Sequence, residues 1–210
     1  LIVYVESNFI LEVVLLQEEH ESCERLIEWA RAARIQLVIP AYSFVEPYET
    51  LRRRHGERAR LAQSAREQLK LLRRSRSFAT AAPDADSLER LFRESTSLEE
   101  ERLEEVQANL LGCTTVIALA PGILESAGCA RRDFDLSGQD SIVYASVVSH
   151  LEQHGSGESC FINRNSKDFD NPSLVEALGA YGCRLLPRFQ AGVGYVESRL
   201  SGASKGTSGP

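Results

Sequence analysis

Carboxylates placed just beyond short apolar runs are the groups in this chain best suited to chemistry. Leu1-Ile2-Val3-Tyr4-Val5 ends on Glu6-Ser7-Asn8, and a second run through Ile39 is followed by Glu46. A third run from Thr114 leads through an intervening helix to Asp140, and Cys160-Phe161-Ile162 passes into Asn163, Asn165 and Asp168. If these runs are parallel strands, their carboxyl ends share one edge of a sheet, where open α/β folds place their sites. Acids far apart in sequence then meet in one small volume. Like charges at close range destabilise one another, so such a cluster persists when a cation, typically Mg²⁺ or Mn²⁺, neutralises it.

Each carboxylate also has a plainer reading. Ser7 or Asn8 reads as a helix N-cap, which leaves Glu6 a solvated acid near a helix N-terminus. Ser43-Phe44-Val45-Glu46 and Ser137-Gly138-Gln139-Asp140 both have the spacing of a capping box, in which the acid reaches back to the cap backbone. Glu49, one turn beyond Glu46, is a substitute ligand on that helix face. The polar loop from Asn163 to Asp168 has the composition of an ordinary turn. As chemistry, Asn165 and Asp168 complete an oxygen-ligand shell there, with Asn163 or Ser166 holding water or phosphate. His150 and His154 are four apart but lack the H-E-x-x-H pattern, and placement near a helix C-terminus explains them better. Gly192-Val193-Gly194 is too isolated to indicate a nucleotide site.

The elements that must position these acids follow from periodicity. Short Val-, Ile- and Leu-rich runs over 1–5, 36–39, 114–119, 160–162 and 183–186 are continuous rather than alternating, as in strands covered on both faces. Helical periodicity occupies 9–16, 23–33, 43–75, 84–111, 140–154 and 171–180, with a break at Ala81-Ala82-Pro83 and closing glycines at Gly155 and Gly182. Strands alternating with helices predict an α/β fold with a parallel sheet of about five strands and helices on both sides. The 210 residues, 43% of them hydrophobic, suit one domain over 1–200 with a helical insertion over 51–111, and the Ser/Gly-rich stretch 201–210 reads as a disordered tail.

The net charge of -6 is unevenly spread. From Arg52 to Arg76 ten Lys/Arg face two Glu, so an acidic body carries a basic stretch suited to a polyanionic substrate. Salt bridges from this stretch to Glu99-Glu100-Glu101 and Glu104-Glu105 account for it equally well. Five cysteines without C-x-x-C spacing indicate neither a disulfide framework nor zinc, and they fit a reducing cytoplasm. No apolar run approaches the roughly 18 residues of a membrane span. The chain starts on Leu1 inside an apparent strand, so further residues are expected ahead of it.

The order of these motifs resembles PIN-like domains. They are Glu6-Ser7-Asn8-Phe9 after the first strand, Glu46 after the second, Asp140 in Gly138-Gln139-Asp140-Ser141-Ile142-Val143-Tyr144-Ala145, and the loop Asn163-Arg164-Asn165-Ser166-Lys167-Asp168-Phe169. The resemblance covers the chain to about Arg188 apart from the helical insertion. It implies a three-layer α/β/α sandwich and a Mg²⁺- or Mn²⁺-dependent ribonuclease. It also implies homodimers in many members, and in many a role as the toxin half of a toxin–antitoxin pair. Two departures bear on metal affinity. Glu6 stands where the family usually has Asp, and Asn165 stands where a last acid is expected, leaving Asp168 to serve. A lower site charge weakens divalent binding.

The expected activity is metal-dependent cleavage of single-stranded RNA. Glu6, Glu46, Asp140 and Asp168 are the catalytic groups and, with Asn165, the metal ligands. Asn8, Asn163, Arg164, Arg52 and Arg53 are the substrate contacts. An alternative is a PIN-like domain that binds RNA or a protein partner without cutting, and another is a regulatory protein that oligomerises through its basic and acidic helices.

Overall fold

The computed structural model describes residues 1–78, 85–154, 157–164 and 171–205. Its element order is β1 (Ile2–Tyr4), α1 (Ser7–Val14), α2 (His20–Arg31), β2 (Gln36–Pro40), α3 (Tyr42–Leu72), α4 (Ala85–Leu111), β3 (Thr115–Ile117), α5 (Pro121–Phe134), α6 (Gly138–His154), β4 (Ser159–Ile162), α7 (Pro172–Ala180), β5 (Cys183–Leu186) and α8 (Phe189–Lys205). The strands form one sheet in the order β3-β2-β1-β4-β5. All four pairings are parallel, with Val3 opposite Leu37 on one side and Cys160 on the other. The sheet is the expected one, and β1 lies at its centre.

Strand alternation explains why these runs are apolar throughout. Val3, Val5, Leu37, Ile39, Cys160 and Ile162 face a core built with α1, α2, the base of α3 and α4, and α8. Tyr4, Val38, Phe161 and Cys183 face a second core built with α5, α6 and α7. Both faces are covered, so neither can carry polar side chains at low cost. The edge strand β3 is shorter than expected, and Val116 and Leu119 are exposed. Leu119 lies outside the strand because Pro121 opens α5 two residues later.

The long helical hairpin is partly built into the body. Leu51 of α3 and Leu103, Val106 and Leu110 of α4 are buried in the first core, whereas Leu61, Leu71, Leu91 and Leu98 are more than half exposed. Opposite charges join its two helices: Arg58 to Glu99 at 2.8 Å, His55 to Glu99 at 2.9 Å, and Arg66 to Asp86 at 2.7 Å and Glu89 at 2.8 Å. Salt bridges within the chain therefore absorb part of the basic stretch.

Two helices are sharper in the structure than in the sequence. In α5 the buried stripe is Ile123, Ala127 and Ala130, small residues that leave a faint apolar signal. In α8 Phe189, Val193 and Val196 are buried at helical spacing, and Gly192 interrupts the pattern for a packing reason. A Cβ at Gly192 would sit 2.2 Å from Ile162 Cδ1, so this residue lets α8 approach β4. The helix also runs to Lys205, past Ser201, where the composition predicted a tail. Among the described residues no helix is long and apolar enough to cross a membrane.

Candidate active site

The carboxyl ends of β1, β2 and β4 open onto one cleft of about 710 Å³, lined among others by Glu6, Asn8, Glu12, Glu46, Arg53, Arg54, Asp140 and Arg164. Three helices that begin at this edge supply the acids. Glu6 is the N-cap of α1, with extended backbone at φ -132°. Its Oε2 accepts hydrogen bonds from the Ser7 hydroxyl at 2.7 Å and the Asn8 backbone N–H at 3.0 Å. Its Oε1 is buried without a hydrogen-bond partner, and the whole residue is 5% exposed. Burial, aided by the nearby Glu46 charge, pushes the Glu6 carboxyl up to about 7 against the opposing pull of those hydrogen bonds.

Glu46 projects from the first turns of α3 and is partly buried. Burial raises its pKa first, and the Asp140 charge adds to this, while the Ser7 hydroxyl and the Arg53 guanidinium pull the other way. The capping box expected at Ser43 is absent from α3. The helix starts at Tyr42, Ala41 is its N-cap, and the Ser43 hydroxyl is buried without a partner. Ser43 sits two residues past the cap position, inside the first turn, and so cannot cap the helix. Glu46 is thereby released toward the cleft. At α6 the serine does cap: Ser137 Oγ accepts from the Asp140 backbone N–H at 3.1 Å and donates to Asp140 Oδ2 at 2.5 Å, so the acid meets the cap through its hydroxyl. Asp140 thus combines a capping role with a place in the cleft wall.

The cleft joins residues of opposite sign. Arg164, just after β4, donates through Nη1 to Glu12 Oε2 and through Nη2 to Glu18 Oε2, the latter at 2.9 Å. Glu12 is 1% exposed, and its other oxygen accepts the Glu19 backbone N–H at 2.6 Å. Glu12, Glu18 and Arg54 were not among the predicted site residues. Glu12 was detectable as the lone acid inside the apolar run Phe9-Ile10-Leu11-Glu12-Val13-Val14. Thr50 and Arg54, four and eight residues after Glu46, follow the same helix face into the cleft.

Other predicted positions lie elsewhere. Arg52 is exposed and pairs with Glu49 at 3.4 Å, and neither lines the cleft. Asn163 is 2% exposed at the end of β4, where its backbone N–H donates to Leu186 O at 3.0 Å, and it is not part of the cleft lining. Asn165, Ser166 and Asp168 fall outside the described residues. His150 accepts or donates at Nδ1 to the Tyr4 hydroxyl at 2.8 Å and stacks on His154 in the opposite core region, away from the cleft.

Among the described residues no group of three or more His, Cys, Asp or Glu side chains is arranged to hold a metal ion. The donor chemistry nevertheless suits a hard cation. Glu6, Glu46 and Asp140 are all oxygen donors, the Glu46 charge raises the pKa of Glu6 and the Asp140 charge that of Glu46, and Glu6 Oε1 is an orphaned buried acceptor. These features fit a hard cation.

No curated protein matches the chain. A structural match is a crystal structure of VapBC2 from Rickettsia felis bound to a DNA fragment from their promoter. It has 10% sequence identity and a TM-score of 0.45, and it covers 88% of this chain and 97% of that one. A family model described as PIN domain matches residues 3–169, and the chain belongs to the PIN domain family.

Proposed function

We propose that this PIN domain is a Mg²⁺- or Mn²⁺-dependent endoribonuclease that hydrolyses phosphodiester bonds of single-stranded RNA. The observation that carries the reading is Glu6, a buried carboxylate with one unpartnered oxygen, in a cleft shared with Glu46 and Asp140. PIN domains are generally nucleases, and a metal-dependent nuclease needs negative charge gathered where a cation can meet phosphate.

Glu6, Glu46 and Asp140 would hold the cation, joined by Asp168 or Asn165 from the loop after β4. The cation would supply Lewis-acid stabilisation of the phosphate oxygens and a water acidic enough to act at neutral pH. The chain's own residues do the rest. Ser7 and Asn8 fix Glu6 Oε2, which leaves Oε1 oriented and bare. Arg53 and Arg54 line the same cleft and offer charge to the phosphodiester backbone. Single strands suit a narrow cleft with its acids at the bottom, because their backbone can bend to bring one phosphate down.

A second reading is an RNA-binding PIN domain without cleavage. The lack of a closed metal shell among the described residues favours it. The deciding experiment incubates purified protein with a mixed set of labelled single-stranded RNAs in Mn²⁺, in Mg²⁺ and in EDTA, beside Asp140→Asn. Cutting that requires metal and falls by about 100-fold or more in the variant supports the nuclease, corresponding to about 3 kcal/mol on the barrier. RNA binding with no cutting in any metal transfers the protein to the second reading.

A further inference from the structure

Arg164 is the cation of the cleft whose surroundings are most constrained. Its Nη1 donates to Glu12, whose side chain is 2% exposed, and its Nη2 donates to Glu18, whose side chain is 81% exposed. The two partners therefore differ in kind. Glu12 belongs to α1 and is fixed from behind by the Glu19 backbone N–H, while Glu19 Oε2 accepts the Phe189 N–H at 2.7 Å. This chain of bonds ties the α1–α2 turn to the exit of β4 and the start of α8. Glu18 sits on that turn with its side chain open to solvent and lines the cleft.

We propose that Arg164 is a phosphate-binding residue held in place by buried Glu12, and that Glu18 is an exchangeable counterion that an RNA phosphate displaces. The inference rests on the reading of the cleft as an RNA site. A guanidinium presents its donors as a fork that matches two oxygens of a carboxylate or a phosphate. The charge-assisted bond to Glu12 is protected from water and keeps the fork aimed. The Glu18 bond is open to solvent, where such pairs contribute little and are screened by salt. A phosphodiester entering the cleft therefore gives up little in replacing Glu18, whereas it cannot reach the Glu12 side. Glu12 is on this view a positioning residue that acts through Arg164. Glu18 is a selectivity filter: weakly charged ligands fail to displace it, and polyanions succeed.

The test is equilibrium binding of a fluorescein-labelled single-stranded RNA in EDTA, between 50 and 200 mM KCl, with melting temperatures recorded for every variant. Glu18→Gln is exposed and is expected to fold normally and to bind RNA about 2- to 5-fold more tightly. Arg164→Gln is expected to weaken binding and to lower the slope of log affinity against log salt by about one. In the Arg164→Gln background, Glu18→Gln should have no effect. Glu12→Gln should weaken RNA binding as Arg164→Gln does, and combining the two should add nothing. Because Arg164→Gln leaves a buried acid, the Glu12→Gln/Arg164→Gln pair serves as the folded control. If the parent protein binds RNA while Glu18→Gln leaves affinity unchanged and Arg164→Gln alters only melting, the bridge is a structural strut and the proposal fails alone. If the parent binds no RNA either in EDTA or with Ca²⁺ supplied as the cation, both this proposal and the RNA reading fall.

Discussion

The cleft and the helical hairpin each bury a glutamate, and the two are treated differently. Glu99 in the hairpin is 8% exposed, and its oxygens take Arg58 and His55, so its charge is answered within the chain. Glu6 in the cleft is 5% exposed, has other carboxylates as neighbours, and keeps one oxygen without a partner. Burying an acid beside cations makes a strut, because the desolvation cost is offset by the pair. Burying one beside acids raises the free energy of the folded chain unless something arrives from outside. A proton relieves that cost for Glu6, and under the proposed function a bound cation would relieve it as well.

Sharpening this contrast begins with pH in the absence of divalent metal. Glu6 is raised to about 7 from an ordinary value of 4.5, so the folded state holds its proton more tightly than the unfolded state does. Stability contributed by this group is full below pH 4.5, falls as pH rises, and levels off above about 7, a total of about 3 kcal/mol. Denaturant titrations in EDTA should show Glu6→Gln losing most of that downward slope and equalling or exceeding the parent at pH 8. An unchanged slope in the variant would mean that Glu6 does not carry the unpaired charge. The hairpin should respond in the opposite sense. Glu99→Ala removes the carboxylate shared by Arg58 and His55, leaving them Ser95 and the exposed Glu100, and is expected to lower stability by about 2 kcal/mol at pH 7, read by urea melts. A smaller effect again is expected at the hairpin's outer end, where Arg66 is 49% exposed beside Asp86 and Glu89. Arg66→Ala should leave the thermal midpoint within the scatter of repeated scans. If it costs as much as Glu99→Ala, the burial argument is wrong.

The sheet was legible because strands covered on both faces must be apolar at every position, and five such runs separated by helical stretches leave few arrangements. Glu6, Glu46 and Asp140 could be read as neighbours for the same reason, since parallel strands bring their exits to one edge. Helices α5 and α8 were harder. Their buried stripes consist partly of Ala or are interrupted by Gly192, whose absent side chain is a consequence of a close approach that only the packed molecule reveals. Ser43 illustrates another limit. Its spacing from Glu46 fits a cap, yet the cap lies two residues earlier at Ala41, and local pattern alone cannot decide such a shift. Arg164 read as a substrate contact, but its anchor Glu12 lies 152 positions away, and no local pattern links the two.

The proposed cation belongs to Glu6, Glu46 and Asp140, and not to the paired acids of the hairpin. Calorimetric titration of Mn²⁺ at pH 7.5 into the parent, Glu6→Gln and Glu99→Gln tests it without reference to cleavage. The parent and Glu99→Gln are expected to bind alike, and Glu6→Gln at least about 10-fold more weakly, a difference of about 1.4 kcal/mol. Equal affinity in all three proteins, or no binding by the parent, would contradict it.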